Sequence, residues 1–137
     1  MHLNQTLEYG LRATSQLAIS PDGVFVNAAE LSEATGIPRH YVSKVMRRLV
    51  AQGLVLAQKG HSGGFRLAHS PQETRFSDVL AALDYDVDER CVFGWPDCCT
   101  DNPCPLHESW SEMKQAFCQW THETTLADVN VAAAPRR

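Results

Sequence analysis

Asn27-Ala-Ala-Glu-Leu-Ser-Glu-Ala-Thr-Gly36-Ile-Pro-Arg-His-Tyr-Val-Ser-Lys-Val-Met-Arg-Arg-Leu-Val-Ala-Gln52 reads as two helices around a short break. Asn27, with Glu30 three positions on, has the form of an N-cap with a reciprocal acid, and Val26 is placed as a hydrophobic staple. The first helix is predicted over 28–35. Gly36-Ile37-Pro38 stops it, and proline favours the first turn of a new helix. Val42, Val45, Met46, Leu49 and Val50 then recur at i, i+3, i+4, i+7 and i+8, which predicts a second helix over 38–52 with one apolar stripe. His40, Ser43, Lys44, Arg47 and Arg48 fall outside that stripe.

The flanks decide what the pair is for. Downstream, Leu54–Lys59 and Phe65–Ala68 alternate as two short strands around Gly60-His-Ser-Gly-Gly64, a glycine-rich hairpin turn with basic residues near its tip. Upstream, Leu3, Leu7, Leu11, Thr14 and Leu17 space a helix over 3–19 that ends at the turn Ser20-Pro-Asp-Gly23, with Gly10 inside it as a close-packing position. A basic amphipathic helix alone is more often a solvated face than a reading head. A capped helix, tight turn, second helix and basic hairpin in that order make a winged helix-turn-helix that docks in the major groove. On that reading Arg39, His40, Ser43 and Lys44, at the start of the second helix, approach base edges. Arg47, Arg48, Lys59, His61 and Arg66 reach phosphates or the minor groove, and Arg66 reads equally well as a plain exposed strand residue.

Phe76, Val79, Leu80 and Leu83 predict one more short helix, started by Thr74 or Ser77, with an acidic exit over Asp84–Glu89. Leu106, Trp110, Met113, Phe117, Trp120 and Thr124 then follow a 4-3-4-3 spacing, the narrow seam of a helix that pairs with another. The expected fold class is mainly α with a small β-wing: a winged helix-turn-helix domain over 1–84, a cysteine-rich loop over 85–105, a long C-terminal dimerisation helix with its end over 106–130, and a frayed tail over 131–137.

The chain has 137 residues, enough for one domain with a dimerising arm, and its net charge of -4 hides an asymmetry. Residues 1–70 hold seven Lys/Arg against four acids, and residues 71–137 five against twelve, so the first half is the basic one that faces phosphates. No signal-like segment and no apolar run near the roughly 20 residues of a membrane span is present, so a cytoplasmic location without membrane contact is expected. No Ser/His/Asp arrangement, phosphate loop or HExxH helix points to an enzyme.

Cys91, Cys98, Cys99, Cys104 and His107 lie within seventeen residues interleaved with proline and glycine. In a reducing compartment such a cluster points to metal or redox chemistry rather than to structural disulfides. Three occupants compete. Cys91, Cys98, Cys104 and His107 satisfy zinc chemically, but the gaps of six, five and two residues lack its usual close knuckle. A metal-free thiol switch is disfavoured by the adjacent pair Cys98-Cys99, since neighbouring cysteines bridge badly. An iron-sulfur cluster tolerates wide, irregular spacing and is the leading reading. With DNA-reading elements beside it, the chain reads as a sensing regulator; a small electron carrier is the rival, and it predicts no DNA affinity. Cys118, on the seam helix, reads as a small buried apolar residue.

Glu8-Tyr-Gly-Leu-Arg-Ala13, Gly36-Ile-Pro-Arg-His-Tyr41-Val, Lys59-Gly-His-Ser-Gly-Gly-Phe65-Arg-Leu and Thr125-Leu-Ala-Asp128 resemble the Rrf2 family of bacterial winged helix-turn-helix regulators, over nearly the whole chain. The resemblance implies a homodimer held by the long C-terminal helix, binding a roughly palindromic double-stranded operator and usually repressing. It implies that three loop cysteines, Cys91, Cys98 or Cys99, and Cys104, hold an iron-sulfur cluster, 2Fe-2S first and 4Fe-4S second. The signal would be iron-sulfur status, nitric oxide or redox stress. The fourth ligand carried over is His107, or else a Glu8 contributed by the partner chain. The doubled cysteine and the six-residue first gap depart from the family's closest pattern.

Overall fold

The computed structural model describes residues 3–85 and 90–130. Among them run α1 (Gln5–Ala18), α2 (Ala28–Thr35), α3 (Arg39–Ala51), β1 (Val55–Gln58), β2 (Gly64–Leu67), α4 (Phe76–Ala82) and α5 (His107–Glu123), with 3-10 turns at Pro71–Glu73 and Leu126–Asp128. The protein is therefore mainly helical with a small two-stranded antiparallel wing. The expected tail over 131–137 and most of the acidic exit after Asp84 lie outside the described residues.

Helix α1 starts later than its periodicity suggests, because Asn4 accepts from the Leu7 amide at 2.9 Å and caps it. Leu7 and Leu17 point into the core, and Gly10 lies where the helix meets α4: a Cβ there would run into Leu83 and Val79. Asn27 caps α2 as expected, accepting from the Glu30 amide at 2.8 Å, but the reciprocal bond runs from its own Nδ2 to Glu30 Oε1 rather than from the backbone. Gly36 ends α2 in the left-handed region at φ 76°, its amide donating to Ser32 O at 2.9 Å. Val42, Met46 and Leu49 of α3 are fully buried beneath it, so the stripe packs inward and leaves Arg39, His40, Lys44 and Arg47 exposed.

The wing pairs Val55 with Leu67 through to Gln58 with Gly64. Val26 extends it by one bridge, exchanging 2.9 and 2.8 Å bonds with Phe65. That bridge explains the glycine pair at the turn. A Cβ on Gly64 would collide with the Val26 carbonyl, and one on Gly63 with the Gln58 carbonyl.

Helix α4 begins at neither expected residue. Thr74 is buried and its hydroxyl donates upstream to Ser70 O at 3.0 Å, while the Arg75 amide donates to Asp78 Oδ2 at 2.9 Å, making Arg75 the N-cap. Helix α5 is seventeen residues long with Thr121 alone buried. Thr124, predicted as the last seam position, is instead its C-cap with extended backbone. From there the chain turns back: Phe76 N donates to Thr124 O at 3.0 Å, Leu126 N donates to Thr74 O at 2.9 Å, and Leu126 is fully buried.

The predicted seam divides. Leu106, Met113 and Trp120 are exposed, although Trp120 sets an edge on Phe76 at 5.6 Å. Phe117 turns inward against Tyr85 at 6.1 Å, and Trp110 is half-buried with its indole N–H donating to Arg90 O at 3.1 Å.

Candidate metal centre and nucleic-acid interface

The loop between α4 and α5 folds on itself through tight local bonds. Gly94 N donates to Cys91 O at 2.8 Å, and Cys99 and Asn102 exchange two backbone bonds of 3.2 and 3.1 Å. Beside the second of these turns Cys99 is exposed, while the Sγ atoms of Cys91, Cys98 and Cys104 all lie within 4.8 Å of one another. Cys104 is buried and the other two are half-buried. His107 opens α5, and its Nδ1 lies 3.4 Å from Cys98 Sγ, although it is not part of the compact group of three. Glu8 sits half-buried in the first turn of α1.

The sulfurs hold charge unequally. For Cys91, burial pushes the thiol up, but donation from the backbone at Trp95 and Phe93 and from the Cys104 and Cys98 side chains outweighs it and lowers the pKa from 9.0 to about 7. For Cys98, the Cys104 amide at 3.4 Å favours the thiolate, but burial and the neighbouring Cys91 and Cys104 sulfurs outweigh it and push the thiol up. Three soft donors in mutual reach, with an imidazole beside one of them, fit zinc or an iron-sulfur cluster by donor chemistry. A single tetrahedral zinc with bonds of about 2.3 Å sets its sulfurs roughly 3.8 Å apart.

The residues expected from the sequence to face DNA lie on a second surface. Arg39, His40 and Lys44 are exposed on the first turns of α3, Ser43 is half-buried, and Arg47 is exposed one turn further on. His40 packs its ring on Tyr41 at 4.5 Å, and Tyr41 meets Tyr9 of α1 edge-on at 5.5 Å, which orients the head of the helix. Lys59 and His61 are exposed at the wing turn. The two remaining cations are engaged within the protein. Arg48 pairs with Asp84 at 2.9 Å, tying α3 to the end of α4, and Arg66 lays its guanidinium over Phe25 at 5.0 Å. Neither engagement has a sequence signal, because Asp84 is 36 residues away and Phe25 belongs to a loop on another part of the chain.

No helix among the described residues is long and apolar enough to cross a membrane. The Rrf2 family model, described as an iron-dependent transcriptional regulator, matches residues 3–131. A protein of Aquifex aeolicus named as an HTH-type transcriptional regulator is 33% identical over 133 residues, spanning 94% of this chain and 91% of its own. One of Mycobacterium tuberculosis, named likewise, is 31% identical over 136 residues, spanning 98% of this chain and 84% of its own. Among solved structures, CymR, the global cysteine regulator of B. subtilis, superposes with a TM-score of 0.82 at 21% identity, covering 93% of this chain and 95% of that one. T. potens IscR superposes at 0.75 and 20% identity, covering 100% and 94%. At those identities the two structures speak for the fold. The matched residues run from α1 through the wing and the cysteine loop to the end of α5, and on them the chain belongs to the Rrf2 family of DNA-binding transcriptional regulators, which are not enzymes.

Proposed function

We propose that this regulator senses its signal through an iron-sulfur cluster held by Cys91, Cys98 and Cys104, with His107 as fourth donor. The observation that carries the reading is the convergence of those three sulfurs within 4.8 Å, beside His107 and between the reading domain and α5. When bound, such a cluster supplies a centre that is lost, oxidised or nitrosylated as cellular conditions change. The chain's own part is positional. Cys91 lies on the approach from α4 and Cys104 three residues before α5, so gathering the thiols fixes the path of the loop between the two helices. His107, at the first turn of α5, makes the helix itself a ligand-bearing element. The partner subunit's Glu8 is the alternative fourth donor, and 2Fe-2S is the first cluster type proposed, 4Fe-4S the second.

The exposed Leu106, Met113 and Trp120 support a homodimer through α5. A dimer presents two α3 helices to half-sites about 34–36 Å apart on a roughly palindromic operator, so a small change in their separation is felt as lost affinity. Arg39, His40, Ser43 and Lys44 then read bases, and Arg47, Lys59 and His61 meet phosphates. Arg48 and Arg66, expected in the same role, reach DNA on this proposal only by leaving Asp84 and Phe25. Repression in the cytoplasm is the proposed mode.

Anaerobic purification followed by visible absorbance and iron and sulfide analysis tests the cluster. A brown protein with near-equal iron and acid-labile sulfide is expected. A colourless protein with stoichiometric zinc would replace the cluster by a structural metal. A colourless, metal-free protein whose Cys91, Cys98 and Cys104 oxidise reversibly would replace it by a thiol switch, a reading favoured by the lowered pKa of Cys91.

A further inference from the structure

A cavity of about 570 Å³ opens between the end of α1, the loop 20–24 and the segment that leaves β2, on the side of the domain formed by neither the cysteines nor the head of α3. Its size falls within the ~300–1,000 Å³ of small-molecule sites. Its polar lining comes from Arg66, His69, Asp22, Ser20, Ser70 and Gln72. Arg66 is the anomaly. Its Nε is buried with no hydrogen-bond partner, and among the described residues its guanidinium forms no ion pair; it lies over the Phe25 ring at 5.0 Å. A buried donor left unmade costs about 1–3 kcal/mol, and more on a charged group. Asp22 lines the same cavity yet does not neutralise it, since no ion pair joins the two. An arginine whose guanidinium lies over a ring at 5.0 Å and whose Nε has no acceptor offers its planar fork to a bidentate oxyanion.

We propose that this cavity binds a small metabolite through its carboxylate or phosphate group, with Arg66 as the anchoring cation and His69 and the Ser20 and Ser70 hydroxyls as secondary donors. The site joins three parts: the loop between α1 and α2, the base of the wing, and the 3-10 turn at Pro71–Glu73. A ligand there bridges the wing to the helix-turn-helix from behind, which gives the regulator a second input independent of the cysteines.

Calorimetric titration of the full chain with inorganic phosphate and with succinate, at matched ionic strength, tests it. Saturable binding of at least one probe is expected, weakened tenfold or more in Arg66→Gln and partly restored in Arg66→Lys. Asp22→Asn, on an exposed loop, should bind the probe as tightly or more so, because it removes the one acid of the lining. Lys114→Gln, on α5 and outside the lining, should bind it unchanged. Absence of saturable binding to either probe overturns the proposal, as does binding that survives Arg66→Gln. If Arg66→Gln weakens only duplex DNA binding, with a shallower salt dependence, the missing acceptor is a DNA phosphate and the metabolite site is rejected. Should Arg66→Gln fail to fold, His69→Gln carries the test: weaker probe binding is expected, and unchanged affinity overturns the proposal.

Discussion

Cys98 and Cys99 differ by one position and by everything that matters for a ligand. The sequence leaves Cys98 and Cys99 as alternatives; in the fold Cys98 Sγ joins the Cys91 and Cys104 sulfurs while Cys99, bridged through its backbone to Asn102, is exposed. Such a bridge has no periodicity to be read from sequence. Cys98→Ser should abolish bound metal or cluster, while Cys99→Ser should retain it, as measured by iron and zinc content per chain. Equal loss in both would show that the loop rearranges to use either thiol. The unequal charge of the triad gives a pH signature in metal-free protein. The pKa of Cys91 lies below the ordinary value, so its thiolate is present above about pH 7 and lost as pH falls through it. Iodoacetamide labelling of Cys91, followed by mass spectrometry, should rise with a midpoint near 7; a midpoint near 9.0 contradicts the local hydrogen bonding.

Elements were legible where a repeating stripe and a cap coincide. Asn27 with Glu30, Gly36-Ile-Pro38 and the 3.6-residue stripe of α3 gave two helices nearly to their ends, and the alternating pattern around the glycines gave the wing. The start of α4 was not legible. Thr74 has the chemistry of a cap, but its hydroxyl donates back to Ser70 O, a competing local bond across the 3-10 turn. Gly10 was legible as a packing position, with α4 as its unseen neighbour. Gly10→Ala gains up to about 1 kcal/mol of helix propensity but overpacks Leu83 at a cost of about 1–3 kcal/mol. A lower urea midpoint is therefore expected, and a raised one would mean that Leu83 moves aside freely. At the DNA surface, Lys44→Ala should weaken operator binding, and Lys59→Ala should weaken it with a salt slope shallower by about one unit, as expected for one lost phosphate contact. Titrations at several salt concentrations measure both, and parent-like binding by both variants would misplace α3 and the wing on DNA.

At the scale of the molecule, the proposed homodimer rests on the seam. α5 is seventeen residues long with Thr121 alone buried, and among the described residues Leu106 at its N-cap, Met113 and Trp120 remain exposed. Phe117 of the 4-3-4-3 pattern packs on Tyr85 instead; a seam and a core stripe share their spacing and differ only in what lies opposite. Met113→Glu should shift the protein from dimer to monomer in analytical ultracentrifugation while its far-ultraviolet circular dichroism stays unchanged. A dimer that persists would place the interface elsewhere.

The return of the chain after α5 has a consequence in time. Leu126 closes the fold by donating to Thr74 and burying its side chain, so residues from Phe76 to Thr124 form a handle with both ends fastened. During synthesis the helix-turn-helix and wing leave the ribosome first, then Cys91, Cys98 and Cys104, and the fastening Leu126 only after them. At about 5–20 residues per second, the interval between Cys104 and Leu126 is on the order of seconds. For that interval the three thiols precede the closure of the handle, so on the proposed function a nascent chain meets its metal or cluster before the handle shuts.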